Sequence, residues 1–443
     1  MRSVGAGIAG CALILSGCSY HNAIYNAERL FTEAEGHRRA GRDSISEVRY
    51  LDVIRKTGQA YRARPDSDWA VEALFLLGRS RLRLGELRAA GAALAEALTR
   101  ADDPVLRSEI LVYSGALLAE MGDNGAALAR VNEALEGPLE GSALAEAHLL
   151  RGRLLLAGAQ VDRGWDDLDY ASDIDPSVRV EAGLERLRWG VLHDDEERSR
   201  RAIDGLFAHA EGGARFDTIA AMVDSARDRW GSREAAELLA GADSSKWHRN
   251  TRGLIALERA RLLDAAGDPV AAAEQAWSVA RGLGESAAEA RIQIASWQIE
   301  RSRDISEVYA VRSILLPVSG DPRVARTLEA VDELEMYATL GLEEPLGWFA
   351  AAEVAHDRLG ADYPARGLFL AYADGAPGEP WAAKALLAAL EVSPGEGDRA
   401  WLRGRLEGHR DSPYLRAARG GPAAGFEALE EELDVRLKAL ARR

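Results

Sequence analysis

Lys246-Trp247-His248-Arg249-Asn250 is the densest cluster of groups able to do chemistry in this 443-residue chain. Two cations, an imidazole and a carboxamide beside an indole suit a small-molecule or phosphate site. A polar loop ahead of a helix beginning near Thr251 is the better expectation, since no neighbouring motif supports a site. His193-Asp194-Asp195-Glu196-Glu197 offers metal-type ligands. Adjacent carboxylates cannot converge on one ion from a single helix face, because only i, i+3 and i+4 side chains meet. A solvated turn between helices is the better expectation. The remaining histidines lack His-x3-His or similar spacing. No Gly-x-Ser-x-Gly, P-loop or dinucleotide fingerprint occurs either. No catalytic or metal-ligating residue is assigned, no cofactor is expected, and the chain is read as a non-enzyme.

The cysteines carry the first positive clue. There are two, Cys11 and Cys18, and both lie near the start. The stretch from Val4 to Leu15 is apolar or small throughout and follows a single positive charge, Arg2. It is too short to cross a bilayer, which takes about 20 apolar residues, and it matches the core of a secretory signal. It ends at Leu15-Ser16-Gly17-Cys18, which resembles the lipobox of bacterial lipoproteins. That resemblance implies cleavage before Cys18 and a diacylglycerol thioether on it. One acyl chain binds a membrane only reversibly, so two or three are needed for a lasting anchor. Ser19, where Asp tends to retain lipoproteins at the inner membrane, implies sorting to the periplasmic face of the outer membrane. A chain starting at Cys18 has no disulfide and no thiol nucleophile.

The rest must be stabilised by ordinary burial. The composition is rich in Ala, Leu, Glu and Arg and poor in strand-forming alternation, so an all-α fold is expected. Loss of Arg2 with the signal takes the formal charge from −16 to −17. So acidic a chain is not built to neutralise phosphates, and no nucleic-acid partner is expected.

The glycines expose a repeat. Gly78, Gly115 and Gly152 stand 37 residues apart, as do Ala90, Ala127 and Gly164, and again Ala97, Ala134 and Ala171. Two antiparallel helices approach to 8–10 Å only where the crossing point lacks bulk. The pattern resembles the tetratricopeptide repeat (TPR), through Leu74, Leu77-Gly78, Gly85, Ala90, Leu94 and Ala97, with Asp175-Pro176 where that signature's proline belongs. It implies a TPR-like solenoid of antiparallel helical hairpins with a C-terminal amphipathic helix. The expected order is a signal over 1–17, a lipidated tether over 18–26, and TPR repeats over 27–181. Degenerate TPR-like repeats over 182–420, creased near residue 245, and a charged helix over 421–443 follow.

Repeat proteins of this kind hold an extended partner along the first helices of the repeats. In the three best repeats these carry Glu72, Phe75, Arg79, Leu82 and Arg83; Glu109, Val112, Ala116, Ala119 and Glu120; and Glu146, Leu149, Arg153, Leu156 and Ala157. Phe75, Leu82, Val112, Leu149 and Leu156, with Arg79, Arg83 and Arg153, would suit an apolar peptide bearing a carboxylate. Arginines at helical spacing also serve as partners of the chain's own glutamates, and that alternative stands. The stretch CSYHNAIYNAERLFTEAE, then Arg64-Pro65-Asp66-Ser67 as a turn, resembles the TPR lipoprotein of the outer-membrane barrel-assembly machinery. It implies an outer-membrane scaffold that binds protein partners, holding a barrel precursor or a periplasmic domain of the barrel. The alternative is a scaffold of another envelope system, polysaccharide export, pilus assembly or peptidoglycan synthesis, and no small-molecule substrate is expected. Glu285-Ser286 is the pair that lytic transglycosylases carry, but the downstream Gly-Leu-Met-Gln type motif of that family is missing.

Overall fold

Gly78, Gly115 and Gly152 are where the hairpins close. A Cβ there would stand 2.7 Å from Leu94 Cγ, 2.7 Å from Val131 Cγ2 and 2.9 Å from Leu168 Cγ respectively. Leu94, Val131 and Leu168 keep the same 37-residue spacing. The glycines therefore form the flat surface on which each second helix rests. Ala90, Ala97, Ala127, Ala134 and Ala171 are fully buried at the same crossings.

The protein is described from a computed structural model, which covers residues 23–422 and 424–442. Cys18, the signal before it and the tether as far as residue 22 lie outside the described residues. Helices are the only regular elements among the described residues, and two compact units divide between Gly267 and Asp268.

In the N-terminal unit the hairpins pair α1 (23–39) with α2 (Asp43–Ala63), and α3 (Ala70–Arg83) with α4 (Leu87–Arg100). They continue with α5 (Pro104–Glu120) on α6 (Asn124–Leu135), α7 (Gly141–Ala157) on α8 (Val161–Ile174), and α9 (Arg179–Leu192) on α10 (Glu196–Phe207). Asp103, Asp123 and Asp195 cap α5, α6 and α10 by accepting from backbone N–H groups, which satisfies donors a helix start leaves open. Each of these five hairpins turns at a residue with positive φ: Gly41, Gly85, Gly122, Ala159 and Asp194. The regular series therefore runs past residue 181, where the sequence reading ended it. Substitution of the turn glycine and a shortened spacing conceal the fifth hairpin. Helices α11 (Phe216–Trp230), α12 (Ser232–Leu238) and α13 (Arg249–Ala265) complete this unit.

The division falls at residue 267 and not near 245, and Trp247 supplies the reason. Its indole is buried, donates from Nε1 to the Leu206 carbonyl at 2.9 Å, and packs 5.0 Å from the Phe207 ring. The segment before α13 is thereby part of the core at α10.

The C-terminal unit comprises α14 (Pro269–Ala280), α15 (Glu285–Arg301), α16 (Ile305–Leu315), α17 (Pro322–Leu340) and α18 (Leu346–Glu353). It ends with α19 (Asp362–Gly375), α20 (Ala382–Glu391), α21 (Glu396–Leu406), α22 (Pro413–Ala418) and α23 (Phe426–Leu440). Successive helices pack pairwise from α14 to α21. The charged helix α23 is a cap of this unit. It buries Leu433 and Leu440 and packs on α18 and α22. The Leu429 carbonyl accepts from Trp381 Nε1 at 3.1 Å, and Lys384 pairs with Glu430 at 2.9 Å. No helix among the described residues is long and apolar enough to cross a membrane.

Candidate functional site

The first helices of the five hairpins, α1, α3, α5, α7 and α9, face inward in the N-terminal unit. Thirteen residues before each turn residue stands a glutamate: Glu28, Glu72, Glu109, Glu146 and Glu181. Equivalent places on successive helices put these carboxylates in one row. Four of them line a cavity of about 720 Å³, and Glu72 lines a smaller recess that shares Glu28, Phe75, Arg79 and Glu109 with it. Phe31, Phe75, Val112 and Tyr113 give the large cavity apolar walls, with Phe75 and Tyr113 edge to face at 5.4 Å. Seven carboxylates line it against two guanidinium groups.

The two ends of the row differ. At the far end the chain supplies its own cations. Arg83 donates from Nε to Glu35 Oε1 at 2.8 Å, and from Nη2 to Glu35 Oε2 at 3.1 Å and Glu146 Oε2 at 3.2 Å. Arg39 donates to Glu146 at 3.0 Å and to Ser177 Oγ at 2.7 Å. Arg38 donates to Glu35 at 2.9 Å and also to Glu181. Tyr50 donates its hydroxyl to Glu35 as well. Three arginines and three glutamates make a neutral plug. Burial by itself would raise the Glu35 carboxyl, which is 6% exposed, but Arg83 and Arg38 outweigh it and hold that group well below the carboxylate range. Glu181 is lowered in the same way, burial opposed chiefly by Arg38.

This plug also draws the N-terminal unit together. Arg38 and Glu181 are 143 residues apart in sequence, and Arg215 donates to the Arg38 carbonyl at 2.6 Å. The α1–α2 turn thus meets α9 and the segment before α11. Behind the plug lies a second cavity of about 490 Å³.

At the near end, burial raises the carboxyl of Glu109, with Arg79 opposing and Glu28 and Asp103 reinforcing. Burial raises Glu72 too, opposed by a backbone hydrogen bond and aided by Asp103, Glu28 and Asp68. The nearest cation, Arg79, stacks over Phe31 at 3.9 Å and Phe75 at 4.8 Å, and its ion pair with Glu28 is long at 3.8 Å.

The residues expected from sequence to form one groove are divided. Phe75, Arg79 and Val112 line the large cavity; Leu82, Arg83, Leu149 and Arg153, with Val112 again, line the second. Leu156 lines neither. It is 4% exposed and packs with Leu168 and Ala182, filling the space above Gly164. The expected arginine site for a carboxylate is corrected as well. Arg83 is held by Glu35 and Glu146, Arg153 donates to Glu120 at 3.2 Å, and Arg79 lies against aromatic faces beside Glu28. Glu72, Glu109 and Glu146 stand among the first-helix positions named from the 37-residue spacing, but their reading as a row of binding carboxylates, and its extension to Glu28 and Glu181, comes from the structure.

The other sequence candidates are structural. His193 stacks on Trp189 at 4.4 Å, Asp194 accepts from Arg229 and Trp230 at a left-handed turn, and Asp195 caps α10. His248 caps α13, and Glu285 opens α15.

No family model and no curated protein matches the chain. Among solved structures it is similar to a tetratricopeptide repeat protein from Parabacteroides merdae ATCC 43184. The identity is 18% and the TM-score 0.34, over 59% of this chain and 95% of that one. It is also similar to the APC/C hetero-tetramer Cut9–Hcn1, at 12% identity and a TM-score of 0.26, over 83% of this chain and 95% of that one. The fold rests on the helix packing itself: an all-α, TPR-like solenoid of antiparallel hairpins.

Proposed function

We propose that this protein is a non-enzymatic scaffold that holds a segment of another protein against the inner helices of its N-terminal unit. The carrying observation is the 720 Å³ cavity enclosed by those helices, with aromatic walls and a row of equivalent polar side chains. Its volume is within the range of about 300–1,000 Å³ that ligand sites span. Repeated equivalent positions suit an extended polypeptide, since each repeat offers the same contact one step further on.

The Leu15-Ser16-Gly17-Cys18 run adds a location to the proposal. Acylated Cys18 tethers the scaffold to the outer membrane, facing the periplasm. The partner is an envelope protein, and outer-membrane β-barrel assembly is the specific role proposed. The test is a mild-detergent pull-down of the full-length protein from cross-linked membranes, beside Cys18→Ala. Recovery of a β-barrel protein with its periplasmic domains, lost in Cys18→Ala, is the expected result. Recovery of export or cell-wall proteins instead overturns the barrel role. An empty pull-down from both overturns the scaffold.

A further inference from the structure

The two ends of the glutamate row sit in unequal states. Glu146 and Glu181 are filled by guanidinium groups of the same chain, from Arg39, Arg83 and Arg38. Glu72 and Glu109 occupy the equivalent places two and one repeats earlier, on α3 and α5. Both are partly buried, and Glu72 Oε2 is shut off from solvent with no hydrogen-bond partner. Phe75 and Arg79 line the same recess as both glutamates, and that recess shares Glu28 and Glu109 with the large cavity.

We propose that Glu72 and Glu109 receive arginine side chains of a bound polypeptide, whose apolar neighbours pack on Phe31, Phe75 and Val112. This rests on the scaffold reading and names the chemistry of its partner. Arginine is favoured over lysine for two reasons. The guanidinium fork matches a carboxylate and lies flat on an aromatic face, whereas an ammonium is a compact, strongly hydrated charge. The chain also displays both contacts with its own arginines: Arg83 against Glu35 and Glu146, and Arg79 over Phe31 at 3.9 Å. Charge complementarity gives the direction. Outside the neutral plug, Glu28, Glu109, Asp175 and Glu211 line the cavity against Arg79, so an acidic segment is repelled and a basic one steered in.

The experiment measures fluorescence anisotropy of a labelled, amidated Phe-Arg-Leu-Arg-Leu peptide with the full-length protein in mild detergent. A twin peptide carries citrulline, the neutral isostere, in place of both arginines. The arginine peptide is expected to bind at least about tenfold more tightly than its twin, a single charge-assisted contact sufficing for that ratio. Glu72→Gln with Glu109→Gln should abolish the difference, with an unchanged thermal melt; should that pair fail to fold, Glu109→Gln alone decides. Equal binding of the twins, no binding of either, or an unaltered ratio in the folded variant overturns the proposal. Displacement of the peptide by equimolar spermidine overturns the polypeptide as occupant in favour of a small polycation. Repeating the membrane pull-down with the double variant separates this inference from the scaffold reading. Undiminished recovery of the partner overturns the glutamate contacts and leaves the scaffold standing. An empty pull-down from the unaltered protein overturns the scaffold itself.

Discussion

Replacing Arg83 with methionine keeps an unbranched stem as far as the place of Nε and removes the guanidinium charge from the plug. The lost contacts are those to Glu35 at 2.8 and 3.1 Å and to Glu146 at 3.2 and 3.3 Å. Glu35, 6% exposed, would be left with Arg38 and the Tyr50 hydroxyl. Breaking a buried pair from one side costs about 3–5 kcal/mol, because the remaining charge stays desolvated. Against a domain stability of about 5–15 kcal/mol, that is a large fraction. The cost should depend on pH, with a sign set by Glu35. In the unaltered protein its carboxyl is held far below the ordinary value of 4.5. The stability it contributes is present above pH 4.5 and is lost as pH falls. Without Arg83 the plug carries one excess negative charge, the Glu35 carboxyl rises with one opposing guanidinium gone, and acid neutralises that excess. The deficit of Arg83→Met should therefore shrink to less than half between pH 7 and pH 4. Hydrogen-exchange mass spectrometry across a urea series reads this from peptides covering 31–41 and 176–190. A deficit below about 1 kcal/mol at pH 7, under the value for a buried pair, or one equal at both pH values, refutes the reasoning.

Ala159 takes a left-handed conformation where Gly85 and Gly122 stand in the preceding hairpins. Ala159→Gly should raise stability by about 0.5–1 kcal/mol, the strain relieved exceeding the added chain entropy; an unchanged or lower urea midpoint counts against it. Gly115→Ala should cost about 1–3 kcal/mol through overpacking on Val131, since the new Cβ lies 2.7 Å from Val131 Cγ2. Adding Val131→Ala should recover part of that loss, and strict additivity in the double-mutant cycle would argue against direct contact. In the C-terminal unit Glu353 is pushed up to about 7 by burial, with Lys384 opposing and Asp357 and Glu430 reinforcing. The stability it contributes is fully present below pH 4.5 and is lost as pH rises through about 7. Glu353→Gln should flatten that dependence and protect the α18–α20 region at pH 8 by up to about 3 kcal/mol, read by exchange in peptides over 346–391. A parallel pH profile would contradict it.

Local sterics were legible in the sequence because they repeat. Gly78, Gly115 and Gly152 mark the hairpin crossings, and the matched Leu94, Val131 and Leu168 meet them there. The fifth hairpin was hidden by chemistry at one position: Asp194 replaces a turn glycine, and Ala159 had already done so one repeat earlier. Tracking the turn instead of the glycine recovers α9 and, with it, the row from Glu28 to Glu181. The plug was not legible, since its Arg38–Glu181 contact joins residues 143 apart, beyond the reach of any repeat spacing. Leu82 and Leu156, at equivalent places two repeats apart, are both buried in the core, and of the two Leu82 also borders the second cavity.

Site-directed photo-cross-linking in intact membranes tests the central claim most directly. Ser142 is exposed and lines the large cavity, whereas Arg88 is exposed on α4 and lines none of the cavities described above. A benzoylphenylalanine in place of Ser142 is predicted to capture one envelope polypeptide through an arginine-bearing segment. That adduct should vanish when Glu72→Gln and Glu109→Gln are added. An adduct no stronger than the one formed from position 88 would contradict the account.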